Sequence, residues 1–468
     1  MSLAGPKLPP TPSRSMGLKL LLVCALALVM SIPALFVFML LGDRTHRAEE
    51  VTREVGGLMG GPQTFLGPVL AIPYTTPPAK AGDASARGVF VVFPSAGHAD
   101  VASHSEVRQR SLFKVPVYQA ELNFKASFDL AGVAARAPVG ATLDWGRAEF
   151  LVGASDARGA QADVLFTAAG KPLAIAPAAT LSGASVASPK DAPTATPDEA
   201  ALRFFGASAA GVALPEARFE ATARMKFSGA QRMAVLAFAK TTTVTAKGDW
   251  PHPSFDGGFL PTRRAITDKG FNAVWSVPFI ARGMPAQVDS PDLASLGQAA
   301  LGVSFVEPAN PYQSVARSLK YALMFVGLVF LAYFLFETTQ KRRVHPAQYV
   351  LIGLTQVVFY LLLLSVAERI GFDLAFLAAA GATVGLISAY AGWVFESRRQ
   401  GFIALAAFTL LYALIYVLMR LEDLALMVGA FASFAAIAVV MYVTRRLDWY
   451  GVATPAAAGP PSASKDAS

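Results

Sequence analysis

Hydrophobic and polar positions divide this 468-residue chain into an amino-terminal apolar run, a long polar stretch and a cluster of five further apolar runs. The first run, Leu20–Leu41, carries no charge, and neither do Tyr349–Ala367, Leu374–Phe395, Phe402–Met419 and Leu424–Val443. A hydrocarbon core of roughly 30 Å takes about 20 helical residues at a rise of about 1.5 Å each, so each run predicts one crossing. Tyr321–Phe336 is shorter, but Lys320 and Glu337 at its ends can reach toward the headgroups and lengthen it. Inside lipid the backbone has to satisfy its own hydrogen bonds, which makes every crossing a helix. Leu20–Leu41 is longer than the apolar part of a signal peptide, contains Pro33 and has no small-x-small site before Gly42-Asp43. It reads as an uncleaved anchor.

Between the anchor and the cluster the period changes to two. Ala217, Phe219, Ala221, Ala223, Met225 and Phe227 alternate with Glu216, Arg218, Glu220, Thr222, Arg224 and Lys226, which predicts a strand wetted on one face. Leu122, Phe124, Ala126 and Phe128 alternate in the same way, and Gly88–Phe93, Thr241–Lys247, Asn272–Val277 and Ala300–Val306 are shorter strand candidates. Helix signals are few. Ser290-Pro291-Asp292 predicts a capped short helix to about Leu296, and Thr45–Val55 reads as the first helix continuing past the membrane. Thr76–Arg87 is a polar loop, and Leu181–Glu199, with three prolines among Ala, Ser and Thr, reads as a flexible insertion dividing the domain into lobes of about 43–180 and 200–317.

Charge adds the orientation. With the amino terminus in the cytoplasm, the segments on that side hold Lys7, Arg14, Lys19, Lys341, Arg342, Arg343, Arg398, Arg399, Arg445, Arg446 and Lys465 against Glu337, Glu396, Asp448 and Asp466. That asymmetry accounts for nearly all of the formal +8, so the alkaline pI of 9.5 reflects topology rather than a nucleic-acid footprint. The opposite hairpins pair Arg369 with Glu368 and Asp373, and Arg420 with Glu422 and Asp423. The one cysteine, Cys24, lies in the first run, so the polar domain folds without disulfides.

The expected fold is a membrane protein of six transmembrane helices, one amino-terminal and five carboxyl-terminal, with a large, mainly β periplasmic domain inserted after the first. In numbers, 1–17 is a cytoplasmic tail, 18–41 the first transmembrane helix and 42–317 the periplasmic domain, with its insertion at about 181–199. Residues 318–443 form the five-helix bundle, and 444–468 a cytoplasmic tail of disordered composition.

Several words along the chain are distinctive: GGPQTFLGPVLAIPY (Gly60–Tyr74), VPVYQAEL (Val115–Leu122), DWPHPSFDGGFLP (Asp249–Pro261) and GFNAVWSVPFIARGMP (Gly270–Pro285). Two more are GVSFVEPANPYQSVARSLKYALMFVGLVFLAYFLFE (Gly302–Glu337) and HPAQYVLIGLTQVVFYLLLLSVAE (His345–Glu368). In this order, over about 50–450, the chain resembles the CreD family of bacterial inner-membrane proteins. The resemblance implies a Gram-negative inner-membrane protein with a periplasmic domain, linked to envelope integrity and colicin tolerance, and made under a two-component regulator of cell-wall stress. It implies no enzymatic activity and no catalytic residue.

The residues themselves point the same way. No Asp, Glu, Lys, Arg or His stands in the middle of a predicted span, where proton coupling or intramembrane catalysis would need one. Gln356 and Thr383 are the main polar groups at depth and suit interhelical hydrogen bonds, while Glu337, Glu368 and Glu396 at helix ends read as interfacial, solvated groups. Ala378, Gly381, Gly385, Ser388 and Gly392 form a small-residue seam for helix packing or self-association.

The densest polar cluster outside the spans is Asp249-Trp250-Pro251-His252-Pro253-Ser254-Phe255-Asp256. Asp249, His252 and Asp256 are spaced too loosely for a helical zinc motif, and Pro251 and Pro253 force an extended path into the Asp256-Gly257-Gly258 turn. The segment is therefore expected as a rigid loop presenting Trp250, His252, Phe255 and Phe259 to a partner. His98 and His104 are read as flanking a polar turn. No nucleophile turn or phosphate-binding Gly-Lys loop is present, so no cofactor or metal is expected. Expected partners are the lipid bilayer and envelope proteins or cell wall, not nucleic acid, and the oligomeric state is left open. The alternatives are a transporter or channel for a neutral or lipid-like substrate built from the bundle, or a periplasmic cell-wall hydrolase.

Overall fold

The computed structural model of the chain describes residues 16–78, 85–181, 183–185, 201–214, 217–307, 311–340, 344–421 and 425–445. Two compact units result, Met1–His46 with Ala309–Ser468, and Arg47–Pro308. Both tails and most of the Leu181–Glu199 insertion lie outside the described residues.

The first unit is helical. Gly17–Leu58, whose residues from Arg47 onward belong to the second unit, Pro346–Ile370, Phe372–Val394, Arg398–Arg420 and Met427–Thr444 are each long and apolar enough to cross a membrane. Pro311–Lys320 and Ala322–Thr338, meeting at a 54° bend, complete a sixth crossing when taken together. The expected span at Tyr321–Phe336 is thus preceded by a separate helix whose Tyr312, Val315, Ser318 and Leu319 are buried. Its alternation of apolar and charged positions is helical, but it is short and falls where the strand pattern ends. The first helix passes Met30 with only a local break, because Pro33 falls within the first turn of the Ser31–Leu58 segment, where a missing N–H costs little.

The second unit is two facing sheets, of eleven and eight strands among the described residues. In the larger, Gln63–Thr76 is the central strand and is buried along almost its whole length, which explains its unbroken apolar run. It is bulged between Leu66 and Val69, the position of Pro68, and Gly67 lies so close to Phe124 and Phe238 that a Cβ would approach both rings to 2.8 Å. In the smaller sheet Ala96–Arg110 turns back on Phe113–Asp129, which in turn pairs with Arg218–Ala230. The wet face of the last pair carries cross-strand ion pairs Lys226–Glu121 (3.1 Å) and Arg218–Asp129 (3.0 Å). The dry faces meet in edge-to-face contacts, Phe65 with Phe227 at 5.3 Å and Phe124 with Phe238 at 5.5 Å.

Two expectations change here. The insertion does not divide the domain into lobes: Ala201–Ser208 pairs with Glu149–Ala154, and Arg218–Ala230 with Phe113–Asp129, so strands from both sides of it interleave in both sheets. Gly183–Ser185, inside the expected insertion, is itself an edge strand. The short helix at Ser290 is a 3₁₀ helix, Ser290–Ala299, whose cap is Asp289 rather than Ser290.

Candidate functional site

The Asp249–Phe259 segment begins where the strand Thr241–Gly248 ends. Asp249 Oδ1 accepts from Ser105 N (2.8 Å) and Oγ (2.5 Å), and its Oδ2 lies 2.5 Å from His104 Nδ1. Trp250 is 8% exposed, and its indole N–H donates to the Val306 carbonyl at 3.0 Å. Pro253–Gly257 is a strand on the edge of the larger sheet, paired with Ala300–Phe305, and proline is tolerated at the start of such an edge. Period two then turns Phe255 inward, edge-to-face with Phe271 and Trp275. Phe259 packs against the same core. Asp256 Oδ1 takes the Arg232 guanidinium at 2.8 Å and its Oδ2 accepts from Ser304 Oγ at 2.5 Å. Gly302 makes that pair possible, since a Cβ there would sit 2.2 Å from Asp256 Oδ1.

The segment is therefore not an exposed aromatic loop. Of its marked residues only His252 is exposed; the aromatic side chains are packed and both carboxylates are engaged. Asp249 and Asp256 are held by different partners and do not converge with His252 on a shared site. His98 and His104 do not flank a turn either: both lie on the strand Ala96–Arg110, His98 bonded to Thr243 Oγ1 at 2.8 Å. Ser105 Oγ donates to the Asp249 carboxylate, an arrangement that orients a hydroxyl but does not make it a nucleophile. Among the described residues no three His, Cys, Asp or Glu group as metal ligands. Replacing His252 with alanine should leave thermal unfolding of the purified protein unchanged. Asp256→Ala strands the Arg232 charge and should cost about 1–3 kcal/mol in the same measurement.

Two polar groups of the helical unit involve the first helix, at Lys19 and at Arg44. Glu337, expected to be solvated at an interface, is 3% exposed. It accepts from Lys19 Nζ, from the Tyr349 hydroxyl (2.8 Å) and from Val344 N (2.8 Å). Glu368, 8% exposed at its side chain, accepts from the Tyr312 hydroxyl (3.1 Å) and lies 3.9 Å from Arg44 Nη1. Lys19 and Arg44 are separated by roughly 37 Å of helix at about 1.5 Å per residue, close to the thickness of a bilayer with its headgroups. Thus the first helix is paired to the carboxyl-terminal helices at two positions separated by about one bilayer thickness.

At depth, Gln356 Oε1 faces the Tyr412 hydroxyl at 3.4 Å. The small-residue seam is split. Gly392 packs on Gly401, whose Cα lies 3.6 Å from a Cβ built there, and Ser388 is buried, whereas Ala378, Gly381 and Gly385 face outward. Gly381 and Gly385 line an apolar groove of about 580 Å³ between Phe372–Val394 and Arg398–Arg420.

A family model described as "Inner membrane protein CreD" matches residues 15–450. The chain belongs to the CreD family. It is 28% identical over 439 residues to "Inner membrane protein CreD" of Escherichia coli (strain K12), covering 92% of each chain. Among solved structures, an M1 zinc metallopeptidase from Deinococcus radiodurans aligns with 80% of this chain and 97% of its own at 8% identity; at a TM-score of 0.20 that likeness carries no argument.

Membership makes this an inner-membrane, multi-pass, envelope-associated protein with a large non-membrane domain. CreD proteins are not known enzymes. The resemblance seen in the sequence words is borne out across the whole matched region. Sequence reasoning missed the Lys19–Glu337 and Arg44–Glu368 pairings. Their signal was there, a charge at each end of the first apolar run and a carboxylate at the end of two later ones, but pairing across some 320 residues cannot be read from one chain.

Proposed function

We propose that this CreD-family chain is a non-catalytic envelope protein whose β domain lies in the periplasm and sustains the envelope under cell-wall stress, colicin exposure included, through contacts with envelope proteins or cell wall. The helices serve as its platform, with both termini in the cytoplasm. The observation that carries this reading is the double pairing of the first helix. Lys19 with Glu337 and Arg44 with Glu368 root the chain entering the domain and the chain leaving it in one helical unit. The surplus of Lys and Arg on one side of the spans supports the orientation.

A strain lacking the protein, complemented with variants and challenged with a cell-wall inhibitor, tests this through leakage of a periplasmic enzyme. The full chain restores retention; a version with residues 47–308 replaced by a short Gly/Ser linker, inserted at equal abundance, does not. Rescue by the helices alone would move the function into the bundle and favour transport of a lipid-like substrate through the groove beside Gly381 and Gly385. A reporter active only outside the cytoplasm should be active when fused after Glu307 and silent after Thr444.

A further inference from the structure

The helix Ser31–Leu58 ends in a sequence of unusual glycine density, Gly56-Gly57-Leu58-Met59-Gly60-Gly61-Pro62. Gly61 N–H bonds to the Gly56 carbonyl (2.7 Å) and Gly60 N–H to the Gly57 carbonyl (3.3 Å), with Gly60 at φ +92, which is the Schellman closure of a helix. The carbonyls that follow are also occupied. Met59 O accepts from Ser228 Oγ, Gly60 O from Gln63 Nε2, Gly61 O from Ala230 N and Pro62 O from Ser155 Oγ. A helix carboxyl end normally presents negative carbonyls. Here the carbonyls of Gly56, Gly57 and Met59–Pro62 already accept hydrogen bonds.

Four neighbouring strands end at this point. Gln63 aligns with Met233 in the parallel pair of Gln63–Thr76 and Arg232–Leu236; Phe65 aligns with Ala154, and Ala154 in turn with Arg203. Their ends and the glycine segment enclose a cavity of about 310 Å³, within the size range of small-ligand pockets. Three arginines, Arg53, Arg158 and Arg203, are among its lining residues against one acidic residue, Asp156. Asp156 grips Arg158 through Nε (3.1 and 3.0 Å to its two oxygens) and Nη2 (2.5 Å), leaving Nη1 for another acceptor. Burial works against a charge on Asp156, but the Arg158 donors outweigh it and hold the carboxyl below its usual range, so it stays an anion that aims Arg158. Arg53 and Arg203 form no ion pair with a described residue. Gln231, on the cavity wall, holds a left-handed backbone (φ +63) that side chains seldom adopt, and such strain gathers at binding sites. A Cβ on Gly57 or Gly61, both lining residues, would meet nothing within 4 Å, so the space beside them is open.

We propose that this cavity binds a phosphate-type oxyanion, presented either by a phosphorylated headgroup or free in solution. Three guanidiniums opposed by one carboxylate leave a surplus that matches a dianion, and the planar fork of arginine fits phosphate oxygens in pairs. The site is independent of the platform reading, since none of its residues takes part in the helix pairings.

The experiment is calorimetric titration of the full-length protein in detergent with inorganic phosphate and with short-chain phosphatidic acid, at constant ionic strength set with sodium chloride. Saturable binding of both, in competition, supports a free or lipid-borne phosphate; binding of phosphatidic acid alone supports the site and assigns the source to a headgroup. In either case Arg53→Ala/Arg203→Ala should weaken binding about tenfold or more, and Gly57→Trp, which fills the opening, should abolish it. Neither ligand binding above the chloride background, or binding that survives both variants, would overturn the proposal. The arginine variant guards against misfolding, because Arg53 and Arg203 are exposed and form no ion pair with a described residue, and its melting temperature without phosphate should stay close to that of the parent.

Discussion

Glu337→Ala should destabilise the protein by about 3–5 kcal/mol, the usual cost of breaking a buried ion pair from one side. The substitution leaves three donors facing an empty position: the Lys19 ammonium, the Tyr349 hydroxyl and the Val344 N–H. Water does not replace the carboxylate readily, since Glu337 is almost fully enclosed. Thermal unfolding of full-length protein in mild detergent measures the loss, and the variant should also accumulate less in membranes. The double variant Lys19→Met/Glu337→Leu should recover part of the loss, because it removes the stranded ammonium while the Tyr349 hydroxyl and Val344 N–H still lack their acceptor. If Glu337→Ala melted like the parent, the pairing would contribute no stability and the platform reading would lose its support.

Trp275→Ala should cost about 3–5 kcal/mol, the range for truncating a large buried aromatic side chain. Trp275 is among the largest fully buried side chains of the chain and packs edge-to-face on Phe255. Its indole N–H donates to the Phe259 carbonyl at 3.0 Å, so truncation also frees a carbonyl of the segment Asp249–Phe259. Protection of that segment from amide exchange should fall along with the melting temperature. Unchanged protection would mean that the segment is held by its ion pairs alone and that the aromatic packing is incidental.

Much of the architecture was legible in the chain because it rests on periodicity. Charge-free runs about 20 residues long can only be helices in lipid, and the alternation around Ala217–Phe227 can only bury one face as a strand. The unbroken run Gln63–Thr76 was harder, since a strand buried on both faces has no alternation to show. Ala96–Arg110 was missed as a strand for the opposite reason: its later residues are polar on both sides, and only pairing along its length with Phe113–Asp129 holds it extended.

The site residues were less legible. Trp250, Phe255 and Phe259 lie in a stretch framed by Pro and Gly, which describes a surface loop and an edge strand equally well; burial against Phe271, Trp275 and Phe305 distinguishes them. Likewise Glu337 at a helix end is a solvated interfacial group by position alone. It becomes a buried partner only because Lys19 and Tyr349 arrive from two other helices. Arg53, Arg158 and Arg203 carry no motif and stand as far as 150 residues apart.

The sequence by itself determined the membrane spans, the β character of the inserted domain, the asymmetry of charge and, through its words, the family. Those follow from local composition and period, which each segment carries alone. Tertiary structure decided which charges pair, which aromatic side chains are core, how strands on both sides of the insertion interleave, and where three arginines meet. These are properties of contacts between segments far apart in the chain, and burial, which sets their energy, exists only once those segments are packed.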